Sequence, residues 1–165
     1  MNKYTNDKGF MNIVEKYYRH PKVRELGNYV HHGTTRLDHS RRVAYYTYKV
    51  TKKLKLNYKS ATKAALLHDL FYNEVENESA RRRLTEHPSY ALNNARRYFD
   101  LTPLEEDIIY KHMFPITRRL PKYIESWIVD GIDDCCAVYE RLSTLKGGVL
   151  KVSHTVILLF LTLKK

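Results

Sequence analysis

Residues 57–70 read NYKSATKAALLHDL and combine a helix start, a face of small residues and a His-Asp doublet. Asn57 is a favoured N-cap residue because its side chain can accept a hydrogen bond from a backbone N–H of the first turn. Small and apolar residues then recur at a spacing that allows close helix packing: Ala61, Ala64, Ala65 and Leu67. We therefore predict a closely packed helix that leads directly into His68 and Asp69.

The segment before this helix has its own start signal. Thr35 stands three residues before Asp38, in the arrangement of a capping box. Apolar residues follow at helical spacing: Val43, Tyr46, Val50 and Leu54. This pattern predicts a helix over residues 36–55, which contains His39.

Proline positions indicate where the later helices begin. Pro is favoured at the first helical position, so Pro88 predicts a helix over 89–99 with His87 at its N-terminal edge. In the sequence Thr102-Pro103-Leu104-Glu105, Thr is the cap, Pro is again the first helical residue and Glu is the third. This sequence predicts the start of a helix that carries Ile108, Ile109 and His112 and ends at Pro115. After Pro121, a last helix is predicted over 123–142. The residues expected on its buried side are Trp127, Ile128, Ile132, Cys135 and Tyr139.

Strand-like alternation is nearly absent from the chain. The polar, acidic stretch 72–79, followed by Arg81-Arg82-Arg83, predicts a loop and a solvated helix start. No repeat, low-complexity stretch or linker divides the sequence. We therefore predict an all-α bundle of five to seven helices.

Composition limits the class of protein. The 165 residues suit one domain, and 43% hydrophobic residues exclude a disordered chain. The only two cysteines, Cys135 and Cys136, are adjacent, so no disulfide framework is expected and a reduced, cytoplasmic setting is favoured. The first residues lack the apolar run of a secretory signal.

Eight histidines are present, and four of them fall on or beside predicted helices. These are His39, His68, His87 and His112; no partner is evident for the others, His20, His31, His32 and His154. Imidazole together with carboxylate suits Mn, Fe, Zn or Ni, and carboxylate oxygens also suit Mg. The residue types therefore limit the metal without naming it.

The pattern resembles the HD superfamily of metal-dependent phosphohydrolases, whose signature is a histidine, a later His-Asp doublet and a distant aspartate on helices. The matching residues are His39, the doublet His68-Asp69 and Asp133, with Asp130 as the alternative for the last position. Asp134 replaces the basic residue usual there. His87, before Pro88, and His112 match two further histidines that hold a second metal in some branches.

The resemblance spans residues 34–142 and implies an HD-domain helical bundle. It implies a single HD domain over 1–165, with its core at 34–142, an N-terminal helical extension at 1–33 and an apolar C-terminal tail at 149–165. The tail's run 152–163 is shorter than the ~20 apolar residues of a membrane span. It is expected either to pack on the core or to contact a membrane surface or a partner, including a second copy of the chain.

The resemblance also implies one or two divalent metals per chain and hydrolysis of a phosphate ester or anhydride, with a nucleotide as the expected substrate. Asp69 would bridge the metals, while His39, His68 and Asp133 complete one side and His87 and His112 the other. A metal-activated water would attack phosphorus. Arg36 is the first candidate to bind a substrate phosphate, and Lys111 and Arg118 are looser candidates.

One branch of the superfamily does not fit. Its cyclic di-guanylate phosphodiesterases carry a Lys three residues after the doublet's Asp and a later Gly-Tyr-Pro motif. Tyr72 stands at the first position here, and the second region reads Phe114-Pro115-Ile116. That substrate is therefore not expected.

A different class of function remains open on charge alone. The chain has 29 Lys+Arg against 18 Asp+Glu, a net charge of +11, and 14 Tyr. Together with the run at 81–83, this composition also suits a nucleic-acid-binding or nucleotide-binding regulatory module without turnover.

Overall fold

The computed structural model describes residues 4, 6–31, 34–75 and 78–144. The predicted tail at 149–165 lies outside the described residues. Within them the chain forms seven α-helices, one 3₁₀ turn and one two-residue antiparallel strand pair, which confirms the all-α prediction. In chain order the elements are α1 (Lys8–Tyr18), α2 (Pro21–Arg24), the 3₁₀ turn (Glu25–Asn28), β1 (Val30–His31), β2 (Thr34–Thr35), α3 (Arg36–Lys53), α4 (Tyr58–Leu67), α5 (Ala80–Tyr98), α6 (Pro103–Lys111) and α7 (Ile124–Thr144).

Helix α4 is the centre of the bundle. Every residue from 61 to 67 is buried, so this helix packs on all sides, against α1, α3, α6 and α7. Its small face allows that close approach, as the alanine spacing predicts. The side chains that fill the core around it include Phe10, Val14, Leu26, Val43, Leu66, Leu67, Ile108, Ile109 and Val129.

Three predicted helix starts are confirmed by their caps. The Asn57 side chain accepts from Ser60 N at 3.4 Å, and Thr35 Oγ1 accepts from Asp38 N at 3.0 Å. At α6, Thr102 and Glu105 form a complete capping box, in which each side chain accepts from the other's backbone N–H. These signals act within one turn, so they do not depend on tertiary packing.

Glu105 has a second role in a buried ion pair. Lys63 Nζ donates to Glu105 Oε2 at 2.7 Å and to the Asp100 carbonyl at 2.6 Å. The same Glu105 oxygen accepts from Thr102 N at 2.9 Å. This cluster, which we call the Lys63 pair, fixes α4 against the start of α6.

The helix start predicted from Pro88 is wrong, whereas the solvated helix start predicted at residues 81–83 agrees with the structure. Helix α5 begins at Ala80, where the Ser79 side chain accepts from Arg82 N, and it continues through Pro88. Proline inside a helix removes one backbone hydrogen bond. Here packing outweighs that loss, since His87, Pro88, Ala91, Leu92 and Ala95 form one buried face. His87 therefore lies inside α5 and not at its edge.

The predicted buried side of the last helix is also wrong. Helix α7 turns Val129, Asp133, Cys136 and Glu140 into the protein, whereas Trp127 is 41% exposed. The other residues of the predicted stripe, Ile128, Ile132, Cys135 and Tyr139, are only half-buried. The apolar pattern failed here because α7 directs carboxylates inward to meet histidines on other helices.

Candidate metal centre

Five helices bring the predicted ligands together. His39 lies in the first turn of α3, His87 in the middle of α5 and Asp133 in the middle of α7. His68 and His112 are the C-cap residues of α4 and α6, and Asp69 follows His68 directly. All four histidines are buried.

The ring nitrogens named Nε2 converge on the two aspartates. His39 Nε2 lies 2.8 Å and His68 Nε2 3.5 Å from Asp133 Oδ1. Asp69 faces the other side as well, because its Oδ1 lies 3.4 Å from His87 Nε2 and 3.6 Å from His112 Nε2. Its Oδ2 lies 3.8 Å from His68 Nε2. Asp69 thus stands between His68 on one side and the pair His87 and His112 on the other.

The opposite nitrogen of each ring, Nδ1, is anchored to an acceptor. His68 Nδ1 lies 2.8 Å from the Ala65 carbonyl and His112 Nδ1 2.8 Å from the Ile109 carbonyl. His87 Nδ1 lies 2.7 Å from the Arg83 carbonyl. His39 Nδ1 lies 2.9 Å from Glu140 Oε2. Carbonyl oxygens only accept, so the Nδ1 of His68, His87 and His112 carries a proton and the Nε2 of each neutral ring presents its lone pair. His39 differs, because both of its nitrogens face carboxylates, Glu140 and Asp133. Burial lowers the pKa of His39, but the hydrogen bond to Asp133 outweighs it, so that pKa is raised.

That tautomer leaves lone pairs facing one another. His87 Nε2 lies 2.9 Å from His112 Nε2, and both rings already use their Nδ1 protons on carbonyls. His68 Nε2 is buried and makes no hydrogen bond. One or two cations among these nitrogens and the aspartates would satisfy them, so the donor set fits bound metal. Three groups of candidate ligands have atoms within 4.8 Å of one another: His39, His68 and Asp69; His68, His112 and Asp133; and Asp69, His87 and His112.

Comparison with known families agrees with this arrangement. The family model described as HD domain matches residues 36–138, more than half of the chain. The chain belongs to the HD-domain family. The match lies inside the predicted core of 34–142 and contains all six candidate ligands. No curated protein and no solved structure matches the chain.

Membership gives the general chemistry of this HD domain. HD domains are generally metal-dependent hydrolases that bind divalent cations and act on phosphate-containing substrates.

Among the helices that the structure describes, none is long and apolar enough to cross a membrane.

The histidines of the cluster give the two aspartates lower pKa values than an ordinary buried carboxyl would have. Burial raises the pKa of Asp69, but His68, His87 and His112 outweigh it and hold that pKa well below its usual range. The pKa of Asp133 is likewise held low against its burial by His68 and His39. Both aspartates are therefore ionised. Burial, with His68 and His87 nearby, lowers the pKa of His112 to about 3, so this ring is neutral near pH 7.

The structure distinguishes the two candidates for the last aspartate. Asp133 contacts His39 and His68, whereas Asp130 Oδ1 accepts from Phe114 N at 3.1 Å. Burial and the nearby Asp134 raise the pKa of Asp130 to about 7. Asp133 is therefore brought to the cluster, and Asp130 is not.

The predicted phosphate-binding residues are placed differently from one another. Arg36 lies with its guanidinium carbon 3.7 Å from the centroid of the Phe71 ring, and it donates to the Phe71 carbonyl at 2.5 Å. The Phe71 ring in turn lies 4.9 Å from the ring of His87, so Arg36 borders the cluster. Lys111 Nζ lies 2.5 Å from Asp107 Oδ1, and Arg118 is exposed.

Glu140 and Phe71 are site residues that sequence reasoning missed. Glu140 holds His39 Nδ1 and is itself bound by Arg42. It lies seven residues, about two helical turns, after Asp133, so it shares the buried face of α7. The seven-residue spacing from Asp133 was the sequence signal that could have identified Glu140. Phe71, two residues after the doublet, gave no signal beyond its apolar character.

Proposed function

We propose that this HD domain hydrolyses a phosphate ester or anhydride of a nucleotide, with one or two divalent cations held by His39, His68, Asp69, His87, His112 and Asp133. The observation that supports this proposal is the common orientation of four histidines. Each ring is anchored through Nδ1, and each Nε2 points toward Asp69 or Asp133.

A bound divalent cation supplies Lewis acidity and an activated water for attack on phosphorus. Asp69 is suited to a bridging position because one oxygen faces His87 and His112 and the other faces His68. The hydrogen bonds to Nδ1 fix ring orientation, and in His68, His87 and His112 they leave Nε2 as the coordinating nitrogen. Asp69 is also the most accessible of the six side chains, at 15% exposure, so substrate approaches from its side.

Arg36 is the residue we propose to bind a substrate phosphate on that side. Its guanidinium is held between the rings of Phe71 and Tyr29, and one nitrogen is bound to the Phe71 carbonyl. The guanidinium has five N–H donors, so donors remain for phosphate oxygens. The choice of a nucleotide as the phosphate-bearing substrate rests on the resemblance to HD phosphohydrolases.

The test compares metal content and hydrolysis in two histidine variants of the full chain. Wild type is expected to hold up to two metals per chain after soaking in Mn²⁺ or Fe²⁺ and to release phosphate from nucleotides. His112→Gln is expected to lose metal and turnover. His20→Gln is the matched control, because His20 packs against Tyr98 and Phe99 outside the cluster. Wild type without bound metal, or His112→Gln with undiminished hydrolysis, contradicts the proposal.

One observation supports a second candidate, a basic nucleic-acid- or nucleotide-binding module without turnover. A cavity of about 480 Å³ between α1, α3 and α4 is bordered by the exposed Lys16, Lys52 and Lys59 and by Tyr17 and Tyr58. Lysines with tyrosines suit phosphates and bases of a single strand. Binding of an oligonucleotide that falls steeply with salt, without any metal-dependent hydrolysis, favours this candidate.

A further inference from the structure

An apolar groove runs between α3 and α7, on the side of α7 opposite the metal centre. Its volume is about 380 Å³. Its lining contains no charged side chain: Tyr46, Val50, Leu54, Ile124, Trp127, Ile128, Gly131, Ile132, Cys135 and Cys136. This groove contains most of the residues that the sequence predicts on the buried side of α7.

The groove leaves large apolar side chains open to solvent within the described residues. Leu54 is 49%, Ile124 57% and Trp127 41% exposed. Single exposed apolar residues are common, but a contiguous apolar patch with a concave shape marks a site that another chain segment or molecule covers. The same patch explains why the apolar pattern of α7 indicates burial on this side.

The chain contains a segment whose composition matches the groove. Residues 152–163 read VSHTVILLFLTL, without any Asp, Glu, Lys or Arg. The segment follows α7, the helix that forms one wall of the groove. Of the seven residues between Thr144 and Val152, two are Gly147 and Gly148, which permit the chain to reverse direction.

The connection is long enough. Seven residues span up to about 24 Å when extended, whereas the nine residues from Cys135 to Thr144 cover about 14 Å of helix. The groove follows α7 from Ile124 to Cys135, about 17 Å at helical rise. Twelve residues cover a similar length, about 18 Å as a helix, and more if extended.

We propose that the groove between α3 and α7 is the docking site of this chain's own segment 152–163. The tether keeps the segment near the groove at an effective concentration in the millimolar range. Docking buries two apolar surfaces at once. If a second copy covered the groove with some other face, the apolar segment itself would stay exposed. Docking of the segment in the groove covers both apolar surfaces.

The single tryptophan of the chain reports on the groove directly. Trp127 is the only Trp, and it lines the groove. In the full-length wild type, we expect a blue-shifted emission and weak quenching by acrylamide. The tail variant Leu158→Asp/Leu161→Asp is expected to shift the emission to the red and to increase quenching. Val138→Asp is the matched control, since Val138 is an exposed apolar residue of α7 outside the groove.

A second pair of variants alters the groove and not the segment. A Cβ at Gly131 meets no atom within 4 Å, so an alanine there disturbs nothing in the described structure. Gly131→Arg is expected to displace the segment and to increase quenching of Trp127, while Gly131→Ala leaves it unchanged. Far-UV circular dichroism checks that each variant keeps its helices.

The possible results distinguish docking of the segment 152–163 from covering of the groove by a second copy or by a membrane surface. Increased quenching in the tail variant and in Gly131→Arg, with a monomeric wild type by light scattering, supports the proposal. Equal quenching in wild type and tail variant overturns it. It is also overturned if Trp127 is protected only in a dimer that dissociates on dilution, which assigns the groove to a second copy. Protection that requires phospholipid vesicles assigns it to a membrane surface and overturns it as well.

Discussion

Two buried polar clusters in this bundle differ in how complete they are. In the Lys63 pair, the Lys63 ammonium meets Glu105 and the Asp100 carbonyl, and Glu105 also accepts from Thr102. In the metal centre, His87 Nε2 and His112 Nε2 face each other, and His68 Nε2 has no hydrogen bond. Buried polar groups are costly when unsatisfied. The first cluster is satisfied by the chain alone, whereas the second leaves buried nitrogens that a bound cation could satisfy.

The largest expected effect is the loss of function in Asp69→Asn. Asparagine keeps the shape but removes the charge that faces three histidines, so metal binding and hydrolysis should fall by more than the roughly 10- to 100-fold cost of losing an outer hydrogen-bond partner of a ligand. Metal analysis and phosphate release measure it. Asp130→Asn is the matched control and should keep both. An Asp69→Asn protein with wild-type turnover would exclude the centre as the catalytic site.

Breaking the Lys63 pair should cost stability and leave the metal centre intact. Lys63→Met leaves the Glu105 carboxylate buried without its cation, which lowers the free energy of unfolding by about 3 kcal/mol. Urea denaturation measures the change, and metal affinity should be unaltered. Arg96→Met, which breaks the exposed pair with Glu106, should cost no more than ~1 kcal/mol. Equal costs for the two variants would show that burial of the Lys63 pair is unimportant.

A smaller effect should follow from the residue that anchors His39. Glu140→Gln weakens the acceptor at His39 Nδ1 and should lower metal affinity by about 10- to 100-fold. Titration with Mn²⁺ measures it, and Glu106→Gln on the surface of α6 is the control. Unchanged affinity would mean that Glu140 serves Arg42 alone.

A pH-dependent effect is expected from a carboxyl beside the centre. Burial and Asp134 raise the pKa of Asp130 to about 7, above the unfolded value near 4. A raised folded pKa means that the stabilisation is complete below pH 4 and is lost as pH rises toward 7. Asp130→Asn removes this loss, so the variant should become more stable relative to wild type as pH rises from 4 to 8, by no more than about 4 kcal/mol for a pKa raised by about three units. Thermal unfolding across this range measures it, and a constant difference would contradict the assignment.

Local sequence signals predicted where helices begin better than they predicted which face of a helix is buried. The starts of α3, α4 and α6 could be predicted because the caps at Thr35, Asn57 and Thr102 act within one turn. The polar run at 81–83 also indicated where α5 begins, but not that the helix continues through Pro88, since packing of His87 and Pro88 against the core outweighs the preference of proline for a helix start. The buried face of α7 could not be read from apolar spacing, because its inward residues include Asp133 and Glu140.

In the candidate site, too, some residues could be predicted from the sequence and others could not. Resemblance to the HD superfamily pointed to six residues, and the structure brings all six together. Glu140 and the carbonyls of Ala65, Arg83 and Ile109 were not predicted. A carbonyl has no side-chain identity, so no sequence motif reports which one will receive an imidazole proton.

Helices α4 and α6 both end at the metal centre, with His68 and His112 as their C-caps. The C-terminal end of a helix carries roughly half a negative charge from its aligned peptide dipoles. Two such ends add about one negative charge to the two that Asp69 and Asp133 provide. Part of the attraction for cations is therefore contributed by the backbone, and it favours divalent over monovalent ions. Replacing the aspartates would weaken this field without removing it.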